Sequence, residues 1–185
     1  MKYPLKATIA CIIAVIAVLS ITTLIGGKIL FQNMSPSAPE GIYIAGINQE
    51  IKSGDFAVVA LPADVPALGA AKGYPMIKKV RGWPGDTYSI EDDGLHFNGR
   101  TYKIYHRPGL PQLKKGTYTV PENHILFLND PDISFDSRYL GPIKKTQVIR
   151  KVNLLIPFRP VDDLIRMVNT DEKHQENSRA DSYNP

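Results

Sequence analysis

The pattern of hydrophobic positions begins with a long apolar run near the amino terminus. From Ala7 to Gly27 the chain has 21 consecutive residues without a charge, and no polar stripe divides them. A helix of this length measures about 30 Å, enough to cross the core of a bilayer. Lys2 and Lys6 precede the run, whereas only Lys28 follows it closely. This excess of positive charge before the run predicts a transmembrane anchor over 7–27, with the amino terminus in the cytoplasm.

A cleaved signal peptide is the alternative interpretation of this run. Such a peptide has an apolar region of about 7–15 residues followed by an A-x-A-like exit. The run in this chain is longer and ends in TLIGGKILF, which favours an uncleaved anchor. We therefore expect a single-pass membrane protein, whose residues after Lys28 lie on the far side of the membrane.

Beyond the anchor, short apolar segments alternate with turn residues. Strands are predicted for FAVVAL, HILFL and VIRKVNLLIPF, at Phe56–Leu61, His124–Leu128 and Val148–Phe158. The segment Leu95–Ile104 predicts a hairpin, because Asn98-Gly99 suits a two-residue type I′ turn. The 15 prolines and 14 glycines lie mostly between such segments, which favours turns over helices. The pattern predicts a mostly β fold, a twisted antiparallel sheet with little helix beyond the anchor.

The carboxyl-terminal end has a different pattern. Val161, Leu164, Ile165 and Val168 recur at helical spacing and predict a short amphipathic helix. Residues 169–185 are polar and charged, and we expect them to be disordered. The predicted organisation is a cytoplasmic segment at 1–6, the anchor at 7–27, a β-rich domain beyond the membrane at 28–160, and the helix and tail at 161–185.

Composition and charge narrow the functions open to this chain. The single cysteine, Cys11, lies inside the apolar run, so the exported part can form neither an internal disulfide nor a thiolate metal site. The net charge of +4 is small and scattered, which gives no support to nucleic-acid binding. The sequence has no G-x-S-x-G and no H-E-x-x-H motif. We expect no metal, no cofactor and no nucleic-acid partner.

The four histidines lie in no catalytic motif. His96 and His124 fall in predicted strands, where a structural role is the favoured interpretation, and His106 and His174 also lack a motif. A Ser-His-Asp triad stays open, because its members assemble from distant positions.

One lysine stands out in the segment YPMIKKVRGWPGD, Tyr74–Asp86. In a strand over Met76–Arg81, Lys78 shares its face with apolar neighbours, whereas Lys79 shares its face with Arg81. Burial disfavours the charged form of a lysine, and a neutral amine can act as the base for a serine nucleophile. The alternative is that Lys78 lies along a sheet edge with its ammonium in water. This segment alone favours the alternative.

Two further segments carry clustered polar groups. NMSPSAPEGIY, Asn33–Tyr43, holds two serines and two prolines and is either a linker or the site of a nucleophile. SFDSRYLGP, Ser134–Pro142, places two hydroxyls, a carboxylate and an arginine within five residues. Such a cluster either fixes a loop through an ion pair or supports a catalytic lysine.

The order of these segments resembles the bacterial type I signal peptidases, which are membrane-anchored Ser/Lys leader peptidases. The resemblance rests on Ser37-x-Pro39, GDFAVVAL, IKKVRGWPGD and SFDSRYLGP, and it covers residues 33–152. The pattern Asn-x-Ser-x-Ser-x-Pro-x-Gly-x-Tyr is similar to the TraF-type branch, the peptidases of plasmid conjugation systems. LNDPDI stands where the family commonly has Gly-Asp-Asn before the last segment.

The resemblance implies a fold and a set of site residues. The implied fold is the signal peptidase domain, a twisted antiparallel β-sheet of barrel-like form with its active site at the membrane surface. Ser37 is the implied nucleophile and Lys78 the general base. The Ser35 hydroxyl and the Ser37 backbone N–H form the oxyanion hole. The supporting residues are Ser134, which orients Lys78, and the ion pair of Asp136 and Arg138.

The function implied is that of a serine endopeptidase that removes signal segments from exported precursors. The implied location is the bacterial inner membrane, with the catalytic domain of residues 28–160 in the periplasm. In the TraF-type branch the substrate is a conjugative pilin precursor, and the expected partners also include membrane lipid and other conjugation or secretion components. Two alternatives are a housekeeping leader peptidase and a non-catalytic, membrane-anchored assembly module. Catalysis requires Ser37 Oγ and Lys78 Nζ to come within hydrogen-bond reach, which an assembly module does not need.

Overall fold

The computed structural model describes residues 5–26 and 28–159. The first of these segments is helix α1, Leu5–Gly26. A helix therefore forms where the sequence predicts one. Within the described residues, however, no helix combines the length and the hydropathy needed to cross a membrane, and the predicted anchor over 7–27 is not confirmed. The helix predicted around 161–168 and the tail to residue 185 lie outside the described residues.

The rest of the described chain is mostly β, as predicted. Its eleven strands are β1 Leu30–Asn33, β2 Gly41–Ala45, β3 Phe56–Ala60, β4 Pro75–Gly82, β5 Thr87–Ile90, β6 Leu95–Phe97, β7 Arg100–Tyr102, β8 Gly116–Thr119, β9 His124–Phe127, β10 Ile143–Lys144 and β11 Val148–Pro157. Beyond α1, the named helical elements within the described residues are α2, Ser137–Leu140, and single 3₁₀ turns at Pro66–Leu68 and Lys145–Gln147. The three predicted strands correspond to β3, β9 and β11.

The strands form two antiparallel sheets. The larger has the order β1-β2-β11-β3-β4-β9-β10, and the smaller has the order β7-β6-β5-β8. Strand β11 lies between β2 and β3, so the end of the domain completes a sheet that begins near α1. The larger sheet has open edges at β1 and β10 within the described residues, which differs from a closed barrel.

The predicted hairpin is present as β6 and β7. Phe97 pairs with Arg100, which leaves Asn98 and Gly99 as the two turn residues. Both have positive φ, 47° and 72°, as a type I′ turn requires. The local sequence alone therefore sets the register of this hairpin.

Three clusters of buried apolar residues hold the sheets together. Two of them lie on β3 and β4, one containing Val58 and Ile77 and the other Val59 and Val80. The third joins the smaller sheet to β9 through Leu126. Because Ile77 and Val80 belong to different clusters, apolar residues pack against both faces of β4.

Candidate active site

The segment from Asn33 to Pro39 forms a fixed turn between β1 and β2. The Asn33 side-chain amide donates from Nδ2 to the carbonyl oxygens of Ser35 (2.9 Å), Ala38 (3.1 Å) and Pro39 (3.1 Å). Its Oδ1 accepts from the backbone N–H of Ser35 at 3.2 Å. Tyr43, in the core, donates its hydroxyl to the Pro39 carbonyl at 2.7 Å. These contacts give the turn one shape, unlike a flexible linker.

The two serines of this turn lie side by side. Ser35 Oγ donates to Ser37 Oγ at 3.0 Å, and the backbone N–H of Ser37 donates to Ser35 Oγ at 3.3 Å. Ser35 is exposed and Ser37 is half-buried. The turn therefore gathers the three groups that the resemblance assigns to the nucleophile and the oxyanion hole.

Lys78 is buried in the middle of β4, with only 4% of its surface exposed. Its Nζ donates to Ser134 Oγ at 3.1 Å. Burial lowers the pKa of Lys78 from 10.5 to about 8, an effect that the Asp136 carboxylate opposes and the Arg138 guanidinium reinforces. The alternative of a lysine with its ammonium in water is wrong, because its side chain is enclosed.

A cleft of about 680 Å³ brings the turn and β4 together. Ser35, Ser37 and Lys78 all line it, between apolar walls that include Leu61 and Phe135. Ser37 Oγ has Ser35 as its hydrogen-bond partner and Lys78 Nζ has Ser134, and among the described residues no hydrogen bond joins Ser37 Oγ to Lys78 Nζ. No described histidine lines the cleft. The arrangement can support amine-assisted serine chemistry without an imidazole.

A fully buried ion pair lies behind Lys78. Asp136 and Arg138 are both 0% exposed, and Arg138 Nε donates to Asp136 Oδ1 at 2.9 Å. The guanidinium also donates to the carbonyl oxygens of Asn129 (2.7 Å), Asp132 (3.1 Å) and Lys103 (3.3 Å). A buried charge needs such partners to offset its desolvation. The pair fixes the segment that presents Ser134 to Lys78.

Lys79 occupies the opposite, partly exposed face of β4. Its Nζ lies 3.2 Å from Asp130 Oδ2 and 5.6 Å from the centre of the Phe56 ring. Arg81 and Arg100 also form ion pairs with Asp130. The alternation predicted for this strand therefore holds, with Lys78 inside and Lys79 outside.

Sequence reasoning missed two asparagines that shape the site. Asn33 organises the serine turn, and Asn129 hydrogen-bonds the backbone of β4 on both sides of Lys78. Two features of the sequence could have indicated them. Asn33 opens the serine pattern, and Asn129 is a polar residue directly after the apolar segment HILFL.

One group outside the cleft has the donor types of a metal site. The ligand atoms of Glu91, Asp93 and His96 lie within 4.8 Å of one another on the smaller sheet. His96 Nε2 is already 2.7 Å from Asp93 Oδ1, and its Nδ1 lies 3.2 Å from Thr101 Oγ1. These contacts form a local polar network that does not reach the serines.

Comparison with known proteins identifies the family. A model of the family described as signal peptidase, peptidase S26, matches residues 4–156. The chain belongs to this family. The resemblance drawn from the serine, lysine and Ser-x-Asp-Ser-Arg segments is thereby confirmed.

Several relatives of this S26 chain carry informative names. The plasmid transfer protein TraF of Escherichia coli is 29% identical over 157 residues, which is 73% of this chain and 85% of that protein. The conjugal transfer protein TraF of Agrobacterium tumefaciens (strain 15955) is 26% identical over 163 residues, 78% and 91% of the two chains. Signal peptidase IB of Staphylococcus aureus (strain COL) is 26% identical over 141 residues, 66% and 72%.

A solved structure also resembles this S26 chain. The signal peptidase I of Enterococcus faecalis V583 is 26% identical and covers 56% of this chain and 98% of its own, with a TM-score of 0.34.

Proposed function

We propose that this S26 protein is a serine endopeptidase that cleaves signal segments from exported precursors with Ser37 as nucleophile and Lys78 as general base. The observation that carries the proposal is the shared cleft. It holds a serine hydroxyl on a fixed turn and a buried lysine whose pKa burial lowers to about 8. A fraction of such an amine is neutral near physiological pH and can accept a proton.

The first half of the reaction forms an acyl-enzyme. Neutral Lys78 accepts the Ser37 proton as Oγ bonds to the scissile carbonyl carbon, and the carbonyl electron pair moves to oxygen. The Ser35 hydroxyl and the Ser37 N–H donate to this oxyanion. The Lys78 ammonium then gives its proton to the departing nitrogen as the C–N bond breaks. Substrate binding must bring Ser37 Oγ and Lys78 Nζ together, since catalytic contacts often tighten only in the complex.

The second half hydrolyses the ester on Ser37. Lys78, again neutral, takes a proton from water as the water oxygen bonds to the acyl carbon. Collapse of the intermediate breaks the bond to Ser37 Oγ, which regains a proton from Lys78. The products are the signal segment with a new carboxyl end and the mature protein with a new amino end.

The cleft and the relatives suggest the substrate. The cleft walls are largely apolar, which suits small or apolar side chains next to the cleaved bond. Because two of the relatives are named plasmid or conjugal transfer proteins, we propose a conjugative pilin precursor as substrate. The signal peptidase IB relatives favour a second candidate, a general leader peptidase. In both cases we place the catalytic domain in the periplasm, beside the inner membrane.

The experiment that tests this function is cleavage of a pilin precursor and of a general exported precursor by the purified full chain. Ser37→Ala should abolish cleavage of whichever precursor the wild type processes. Ser53→Ala, which removes an exposed hydroxyl outside the cleft, is the matched control and should cleave like the wild type. Normal cleavage by Ser37→Ala would refute the proposal, and a wild type that binds precursor without cleaving it would indicate an assembly module.

A further inference from the structure

A second groove lies on the other side of the serine turn. Its volume is about 440 Å³. Within the turn, Ser35 and Ser37 line the cleft, whereas Pro36 and Ala38 line this groove. Pro39 continues the wall of the groove. The turn that carries the proposed nucleophile is therefore a ridge, with the cleft on one side and the groove on the other.

Strand β4 and the segment after β9 divide between the two sites in the same way. Lys78 lines the cleft and Lys79 lines the groove, because successive residues of a strand point to opposite faces. Asp130 lines the groove, whereas Phe135, farther along the same segment, lines the cleft. The cleft and the groove thus share one wall, and the turn that carries Ser37 separates them.

A peptide substrate needs space on both sides of this ridge. The scissile carbonyl must lie against Ser37 Oγ, so the residues before and after the cleaved bond extend from it in opposite directions. An extended peptide advances about 3.3 Å per residue, so the second and third residues after the bond lie within about 10 Å of the nucleophile. The proposed function places the apolar signal segment in the cleft. The groove is then the space open to the first residues of the mature protein.

The groove combines an apolar lining with charged side chains. Phe56 and four prolines supply most of the apolar part. The charged residues that line it are Glu40, Lys79, Asp130 and Arg159. Asp130 is paired with Lys79. It is also paired with Arg81 and Arg100. Among these charged residues the cations outnumber the acids, so the groove has a positive potential that attracts an acidic side chain and repels a lysine.

Two of these cations are accessible to a bound peptide. The Lys79 side chain is 24% exposed, with its Nζ 5.6 Å from the centre of the Phe56 ring. Arg159 is exposed and follows β11 closely. Ion pairs at such positions are individually weak and are screened by salt. They are suited to a preference among substrates and not to an absolute requirement.

We propose that the groove lined by Ala38, Phe56, Lys79 and Arg159 is a subsite for the leaving segment, the first residues of the mature protein, and that it favours a segment with an acidic side chain. The inference rests on the proposed function, since it takes Ser37 as the nucleophile. The leaving segment departs when the acyl-enzyme forms. The groove therefore affects acylation, and it does not affect the later hydrolysis of the ester on Ser37.

The test is kcat/KM of the full chain for two versions of a precursor that carry Glu or Lys at the second residue after the cleaved bond. The precursor is the pilin precursor or the general exported precursor, whichever the wild type cleaves. The Glu version should be cleaved about two- to fivefold faster, and added salt should reduce this preference. A control pair with the same exchange about twelve residues after the bond lies beyond the groove and should be cleaved at equal rates. Equal rates for the first pair, or the same preference in both pairs, would overturn the proposal.

Variants of the groove test where the preference arises. Arg159→Glu should abolish or reverse the preference for Glu. Arg107→Glu places the same charge at an exposed position outside the groove and should keep it. Lys79→Gln should weaken the preference, and Lys79→Arg, which keeps the charge, should retain it. A wild-type preference in both Arg159→Glu and Lys79→Gln would overturn the assignment of the groove.

The results for Ser37→Ala separate the subsite from the proposed function. If Ser37→Ala is inactive and the wild type cleaves the Glu and Lys versions at equal rates, only the subsite fails. If Ser37→Ala cleaves normally, the proposed function itself fails.

Discussion

Lys78 and Lys79 are neighbours in the chain, but β4 directs their side chains to opposite faces. Lys78 is enclosed and its amine has Ser134 as hydrogen-bond partner, whereas Lys79 is paired with the exposed Asp130. Removal from water destabilises an ammonium, so burial lowers the pKa of Lys78 to about 8. At the scale of single residues, the chemistry of the site therefore follows from the face on which a side chain lies.

Ser35 provides the first residue-scale prediction. We expect Ser35→Ala to lower kcat about 10²–10³-fold, the loss typical of removing one oxyanion donor. Ser35 is exposed, so the thermal unfolding midpoint should change little. Steady-state cleavage by Ser35→Ala and by Ser53→Ala measures the effect. A Ser35→Ala rate equal to that of Ser53→Ala would show that Ser35 does not stabilise the oxyanion.

At the scale of elements, the segment from Asn129 to Arg138 contributes to the support of Lys78 as the strands do. Two aspartates in it differ in surroundings. Asp136 is fully buried with Arg138, whereas the Asp130 side chain is 42% exposed among Lys79, Arg81 and Arg100. Removing one member of a buried ion pair leaves an uncompensated charge in the interior, which lowers the stability of the fold. An ion pair exposed to water contributes little to that stability.

The second prediction compares these two aspartates. Asp136→Ala should lower the free energy of unfolding by about 3–5 kcal/mol, the usual cost of breaking a buried ion pair. Asp130→Ala should cost clearly less, because the Asp130 side chain is 42% exposed and its three cationic partners keep part of their surface in water. Urea denaturation of both variants at neutral pH checks the difference. Equal losses of stability would mean that the Asp136–Arg138 pair does not hold this segment.

The local sequence predicted those elements that carry their own pattern. The Asn98-Gly99 hairpin, the apolar strands β3, β9 and β11, and the alternation of β4 were all predictable from residues close in the chain. Short strands such as β1 and β10 were not, because each has few residues and depends on a distant partner. The same holds for α2, a single turn capped by the Asp136 side chain.

The residues of the site were predictable from the local sequence, whereas their arrangement in space was not. Ser37, Lys78 and Ser134 lie in segments with a recognisable pattern, but their placement around one cleft depends on long-range pairing. The hydrogen bonds of Asn129 to Ile77 and Lys79 join residues about fifty positions apart, and nothing in the local sequence specifies them. A residue whose side chain hydrogen-bonds the backbone of a distant strand produces no periodic pattern in the sequence.

At the scale of the whole molecule, polar contacts tie the two sheets together behind the cleft. Arg138 donates to the Lys103 carbonyl and lies 5.5 Å from the centre of the Tyr102 ring. Asp130 pairs with Arg81 on β4 and with Arg100 on β7. The segment that supports Lys78 therefore also connects the smaller sheet to the larger one.

The third prediction concerns the topology of the chain in the membrane. The positive charges before the apolar run predict that a reporter active only in the periplasm is active when fused after Pro160. The same reporter fused after Lys6 should be inactive. A mature chain beginning near Lys28 would show a cleaved signal, and an inactive fusion after Pro160 would contradict the periplasmic placement.

The central claim is that neutral Lys78 activates Ser37, and the pH dependence of kcat/KM tests it most directly. This ratio reports the ionisation of the free enzyme. Burial lowers the pKa of Lys78 from 10.5 to about 8, and only the deprotonated amine can accept the serine proton. The rate of the wild type should therefore be low in acid, rise through an apparent pKa of about 8 and level off above it.

Two variants complete this measurement. Lys78→Arg should remain at background at every pH, because arginine does not deprotonate in proteins. Lys79→Arg keeps its charge beside Asp130 and should follow the wild-type profile. A Lys78→Arg enzyme that cleaves precursor with the wild-type profile would contradict the assignment of Lys78 as the base.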